Sequence, residues 1–160
     1  PGVWFFRLDA ASSLAVRIAR WRWGLPYYRA EMELLRSGST VRYASRRLWP
    51  GPPGASTRIA AEIGEPILGE NREHPPGKAV PDTLEHFLAE RYILYAQPSE
   101  TMPLLQGRVH HRPYPLREAR LLELDESLVA AAGITLAAEP DHVLFSEGVD
   151  VEVFALDQVA

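Results

Sequence analysis

The stretch Gly24-Leu25-Pro26-Tyr27-Tyr28-Arg29-Ala30-Glu31-Met32 marks the point where a helical pattern stops and an alternating one begins. Upstream, Leu14, Ile18 and Trp21 recur at i, i+4 and i+7, with Val16 and Trp23 beside them. This is the stripe of an amphipathic helix, and Asp9, Ser12 and Ser13 are its candidate N-caps. Gly24 suits a left-handed residue just past a helix end and Pro26 cannot prolong the helix, so the stop falls near Trp23. Downstream, Tyr28, Ala30, Met32 and Leu34 alternate with Tyr27, Arg29, Glu31 and Glu33, the period of a strand with one polar face.

Outward from this junction the chain reads mostly as strands. Residues 2–8, with the apolar run Val3-Trp4-Phe5-Phe6, read as one short buried strand. Ser37-Gly38-Ser39 turns the Tyr27–Arg36 strand into a partner over Thr40–Leu48, in which Val41, Tyr43 and Ser45 alternate with Arg42, Ala44 and Arg46. A proline-rich connection leads to a third strand around Thr57–Ile63, completing an antiparallel meander. Residues 64–81 carry seven glycines and prolines and read as a long irregular loop. A short helix capped by Asp82 or Thr83, a strand over Arg91–Tyr95, two strands flanking Pro113-Tyr114-Pro115, a short helix ended by Gly133 and two closing strands follow. The expected fold class is therefore α+β, mainly β: one domain over residues 1–160 built on a large curved or closed antiparallel sheet with a few short helices.

Composition narrows the function. The 160 residues are 46% hydrophobic, enough for a continuous core, and contain no cysteine, which excludes disulfides, thiolate chemistry and cysteine-bound zinc. No apolar run approaches the roughly 18 residues that cross a bilayer, and no signal peptide is visible, so the expectation is a soluble cytoplasmic protein without membrane partners. Residues 1–58 hold ten arginines and three acids, net +7; the rest holds seven bases and eighteen acids, net -11, which together give the -4 of the whole chain. Halves of opposite charge are expected to pair with each other, and no nucleic-acid partner is expected. No strand is followed by a glycine-rich phosphate loop.

Five ordered blocks carry a family resemblance. They are residues 2–10, Gly-Val-Trp-Phe-Phe-Arg-Leu-Asp-Ala; residues 24–28, Gly-Leu-Pro-Tyr-Tyr; Leu84-Glu85-His86-Phe87-Leu88 with Glu90-Arg91-Tyr92; Val109-His110-His111 with Pro113 and Pro115-Leu116; and Ser146 with Gly148-Val149-Asp150-Val151. Together they resemble the YqjF-like family of conserved bacterial proteins, and the likeness spans essentially the whole chain. Members usually have a further region before the Gly-Val-Trp-Phe-Phe block, and a chain that opens on Pro1 fits the loss of that region.

The family in turn resembles the acetoacetate decarboxylase superfamily, which implies a large β-barrel with a cavity. In those enzymes the matching segment reads Gly-Phe-Pro-Lys-Lys, and one lysine forms a Schiff base while its neighbour lowers its pKa. That decarboxylase is a standard example of a cation-activated lysine. Here Tyr27 and Tyr28 stand at the two lysine positions. A phenol cannot form an imine, arginine stays protonated, and the single lysine, Lys78, falls in the predicted loop. Schiff-base decarboxylation is therefore not expected.

What remains is a pocket that could take a small anionic or carbonyl-containing molecule such as an organic acid. Its candidate ligand-binding residues are Tyr27, Tyr28, Arg29, Arg91, His110 and His111. Tyrosine and arginine together can hold a carboxylate by hydrogen bonding and charge. The bland alternatives are a core tyrosine with a satisfied hydroxyl, Arg29 paired with Glu31, Arg91 in an ordinary salt bridge and a structural histidine. Adjacent strand residues point to opposite faces, so His110 and His111 cannot share a metal, and neither metal nor cofactor is expected. His74 and His142 fall in predicted loops, and His86 stands four residues before Glu90 on the second helix. The alternative to a binding domain is a lyase or hydrolase that works on a small organic acid without a Schiff base. A dimerising structural protein is a third reading.

Overall fold

The computed structural model of the chain describes residues 2–69, 75–99, 101–136 and 138–159. The fold is mainly β, with ten strands, three helices and two compact units among the described residues. One unit comprises Phe6–Ile63 and Ala119–Val143; the other comprises Pro1–Phe5, Gly64–Glu118 and Leu144–Ala160.

In the first unit, β2 (Leu8–Ala10) leads through α1 (Ser13–Trp23) into β3 (Tyr27–Ser37), then β4 (Thr40–Trp49) and β5 (Ser56–Pro66). The junction forms as expected: Ser12 Oγ accepts from the Ala15 N–H, and Gly24 ends the helix at φ 63°. Gly38, at φ 59°, makes the β3–β4 turn, where a side chain would strain the backbone. The antiparallel meander is present, with Met32 opposite Ser45 and Ser45 opposite Thr57. One expectation fails here. The helix is long enough to carry the chain back across the sheet, so β2 and β3 pair in parallel and bring Asp9 opposite Tyr28. The sheet is therefore mixed rather than purely antiparallel. Curled as a half-barrel, it has the order β2-β3-β4-β5-β8-β9, where β8 is Leu116–Glu126 and the end strand β9, Leu144–Ser146, is counted with the second unit.

The helix also turns differently from the simplest reading of its stripe. Val16 is fully buried, whereas Leu14, Ile18 and Trp21 face solvent. The charge asymmetry resolves into ion pairs that join the basic early strands to β8, Arg42 with Glu123 and Arg58 with Asp125. Helix α3 (Leu128–Ala131) is tied to β5 through Ser127, whose hydroxyl accepts from Ser56 N–H and donates to Ser56 C=O.

In the second unit the short β1 (Val3–Trp4), β6 (Ile93–Ala96), β7 (Leu105–His111) and β10 (Val151–Gln158) form a sheet in the order β1-β6-β7-β10. The expected single strand over residues 2–8 is thus broken: β1 and β2 fall in different units, with Phe5 and Phe6 exposed between them. Hydrophobicity called the run buried, but it could not locate the break. β1 pairs in parallel with β6, a second departure from an all-antiparallel sheet. Helix α2 (Leu84–Ala89) is capped by Thr83 Oγ1, which accepts from His86 N–H. The core here includes Leu94 and a cluster of Ile67, Ala79 and Leu116, against which Ala89, Tyr114 and Leu144 pack. The predicted loop over residues 64–81 holds the end of β5, and Gly77 bridges Ile67 and Leu116 by backbone hydrogen bonds. His74 lies outside the described residues.

Candidate functional site

The side chain of Tyr28 lies between two guanidinium groups. Arg7 donates to its hydroxyl and stacks over its ring at 5.2 Å, while Arg47 lies over the ring at 4.5 Å. Arg47 is anchored by Asp9: Nε donates to Oδ1 at 2.6 Å, and both side chains are almost wholly buried, 7% and 8% exposed. The other carboxylate oxygen of Asp9 accepts from Ser45 Oγ at 3.0 Å. Asp9 therefore has two converging donors, the arrangement a buried carboxylate requires.

This arrangement follows from the strand register. Asp9 is placed by the parallel β2–β3 pairing, Arg47 lies opposite Ala30, and Ser45 and Arg47 share one face of β4. Arg7 is exposed, and no acid pairs with it among the described residues. Two guanidinium groups and one carboxylate leave the cluster with a net charge of +1 around a phenol. Ser45 also lines an open groove of about 400 Å³ together with Met32, Thr57, Arg46 and Arg58.

Tyr27 and Arg29 do not join this cluster through their side chains. The Tyr27 carbonyl accepts from Arg20 at 3.0 Å, and burial pushes its phenol pKa upward, which keeps it a proton-bearing donor. The guanidinium of Arg29 bonds to Ser13 Oγ and to the Ala30 carbonyl; Glu31, the partner considered for it, pairs with Arg46 at 2.6 Å. A register irregularity opposite Arg29 and Ala30 leaves one extra residue on β4, between Arg47 and Trp49.

The other three residues lie in the second unit. His110 is exposed and His111 buried, the opposite orientations expected of neighbours on a strand. His111 has Nδ1 at 2.8 Å from the Arg112 carbonyl and Nε2 at 3.3 Å from that of Arg91. Its ring stacks on Tyr92 at 4.6 Å and tilts against Tyr114 at 4.9 Å. Arg91 lies over the Phe87 ring at 3.9 Å, and its buried Nη1 has no hydrogen-bond partner among the described residues.

Buried Glu90 holds this cluster together. It accepts from the Tyr92 hydroxyl through Oε2 and from Tyr114 N–H at 3.0 Å through Oε1, which bears out the shared side of Glu90 and Tyr92. Its carboxylate thus engages these groups rather than His86. Glu90→Ala should destabilise the protein by about 1–3 kcal/mol by leaving the Tyr114 N–H and the Tyr92 hydroxyl unmatched, and Glu90→Gln by less; chemical denaturation measures both. Partial burial, and then the bond to Glu90, raise the Tyr92 pKa to about 12. The folded state therefore holds this proton above the ordinary value of about 10. The associated stability is complete below about pH 10 and disappears as pH rises through about 12. A denaturation series across that window should show a shallower alkaline loss in Tyr92→Phe.

Asp9, Ser45, Arg47 and Arg7 were not expected at the site. One signal was available: continuing the alternation Val41, Tyr43, Ser45 places Arg47 on the inward face, where it needs an acid. Among the described residues no group of three or more His, Cys, Asp or Glu side chains could hold a metal ion.

The family described as "uncharacterized conserved protein" (DUF2071) matches residues 1–150. The chain belongs to this family. It is also 30% identical over 151 residues to the "Uncharacterized protein YqjF" of Bacillus subtilis (strain 168), an alignment covering 94% of this chain and 57% of that protein. The chain thus spans a little over half the length of this family relative. No solved structure matches the chain.

Proposed function

We propose that this member of the DUF2071 family is a small-molecule-binding domain that takes an organic acid at Tyr28, with Arg7 as the charge partner of its carboxylate. The observation that carries this reading is the exposed Arg7 guanidinium, held on the Tyr28 hydroxyl with no acid partner among the described residues, beside a buried, neutralised Asp9–Arg47 pair. A carboxylate supplies the missing charge and can accept from the guanidinium and the phenol together. The resemblance to the acetoacetate decarboxylase superfamily supports the location, since Tyr28 stands at a reactive-lysine position, and the curled sheet accords with that barrel type. The same substitution argues for binding without imine chemistry, and Lys78 is exposed.

Thermal-shift and calorimetric titrations with acetate, acetoacetate and longer keto acids test the reading. A ligand at about 100 times its Kd should add about 2.7 kcal/mol of stability. Arg7→Gln should weaken binding by about 10- to 100-fold, the range given by a charge-assisted hydrogen bond, and Tyr28→Phe by several-fold. Absence of stabilisation by every acid, or equal binding by Arg7→Gln, contradicts the proposal. Turnover of a keto acid would favour the lyase reading, and an adduct trapped by borohydride on Lys78 would restore imine chemistry.

A further inference from the structure

Helix α1 turns Leu14, Ile18 and Trp21 outward, with 68%, 43% and 84% of their surfaces exposed. At about 100° per residue these three span an arc of about 60°, with Arg17 about 40° beyond one edge and Arg22 about 40° beyond the other. The helix contains three arginines and no acid. Arg17 and Arg22 make no ion pair among the described residues; the contact of Arg22 is with the ring of Trp23 at 5.8 Å. Arg20 has a different role, bonding the Tyr27 carbonyl and lying over Trp49 at 5.9 Å.

We propose that this face of α1 docks reversibly on an anionic lipid surface. The pattern is that of a helix lying in the membrane interface: a narrow apolar stripe with an indole enters the headgroup boundary, and flanking cations remain among the phosphates. Charge decides against the other simple occupant. A second copy packed about a two-fold axis would set the same cationic flanks against each other. Among the described residues no helix is long and apolar enough to cross a bilayer, and the proposed contact is a peripheral one. One short helix buries little apolar area, and the arginines supply much of the affinity.

Vesicle co-sedimentation tests this, using the whole chain with vesicles of phosphatidylcholine alone or mixed equally with phosphatidylglycerol. Binding is expected to the mixed vesicles alone and to fall with added salt. Arg17→Gln with Arg22→Gln should weaken it on the order of 30-fold, about fivefold for each cation. Trp21→Ser should also weaken binding and remove a lipid-induced blue shift of tryptophan emission. All three side chains are exposed, so circular dichroism should be unchanged. Equal sedimentation with neutral vesicles, or none with anionic ones, overturns the proposal. So does a dimer dissolved by Trp21→Ser, or capture of an acidic protein partner without vesicle binding.

Discussion

Asp9→Ala is expected to lower the unfolding free energy by about 3–5 kcal/mol, because it leaves the buried Arg47 guanidinium without its counter-charge. Ser45 loses its acceptor in the same step. The cost measures the stranded charge more than the pair itself, so replacing both residues should recover most of it. Asp9→Leu combined with Arg47→Met should be close to the parent protein in denaturant midpoint. A loss below about 1 kcal/mol in Asp9→Ala would mean that Arg47 reaches water when unpaired, and that the pair is not held out of solvent beside Tyr28.

Leu94→Ala should cost about 2–5 kcal/mol, the range for emptying a buried leucine site. Leu94 is among the most buried large side chains described, and it lies on β6 opposite Val3 of β1 and Gly107 of β7. A Cβ on Gly107 would come within 2.3 Å of Leu156 Cδ2, so this part of the sheet is closely packed and leaves little freedom to collapse around a cavity. Denaturant midpoints compared at constant m-value give the answer. Leu94 and Asp9 lie in different units.

Local chemistry carried much of the fold into the sequence. The stop at Gly24, the Gly38 turn, the Thr83 cap and the alternation along β3 and β4 each depend on residues close in the chain, and they appear nearly where they were read. The parallel pairings of β1 and β2 were not legible, because residue period does not encode strand direction. Nor was the outward turn of α1: Val16 alone takes the fully buried position, and a periodic stripe states that a helix has two faces without saying which is covered. The site divides in the same way. Tyr28 was accessible through its position after Gly24-Leu25-Pro26. Asp9 meets Ser45 and Arg47 across separations of 36 and 38 residues, a pairing set by the β2–α1–β3 crossover and the hairpin, and so beyond any local pattern.

The proposed organic-acid site depends on Arg7 and Tyr28 acting together on a carboxylate. Its most direct test is a nitrogen-15 NMR titration of the arginine Nε–H signals with a keto acid that stabilises the protein, or with acetoacetate if several do. Saturable shifts at Arg7, and smaller ones at Arg47, that vanish in Arg7→Gln are the predicted result. Unchanged Arg7 and Arg47 signals at saturating ligand, or the same response in Arg7→Gln, would contradict it.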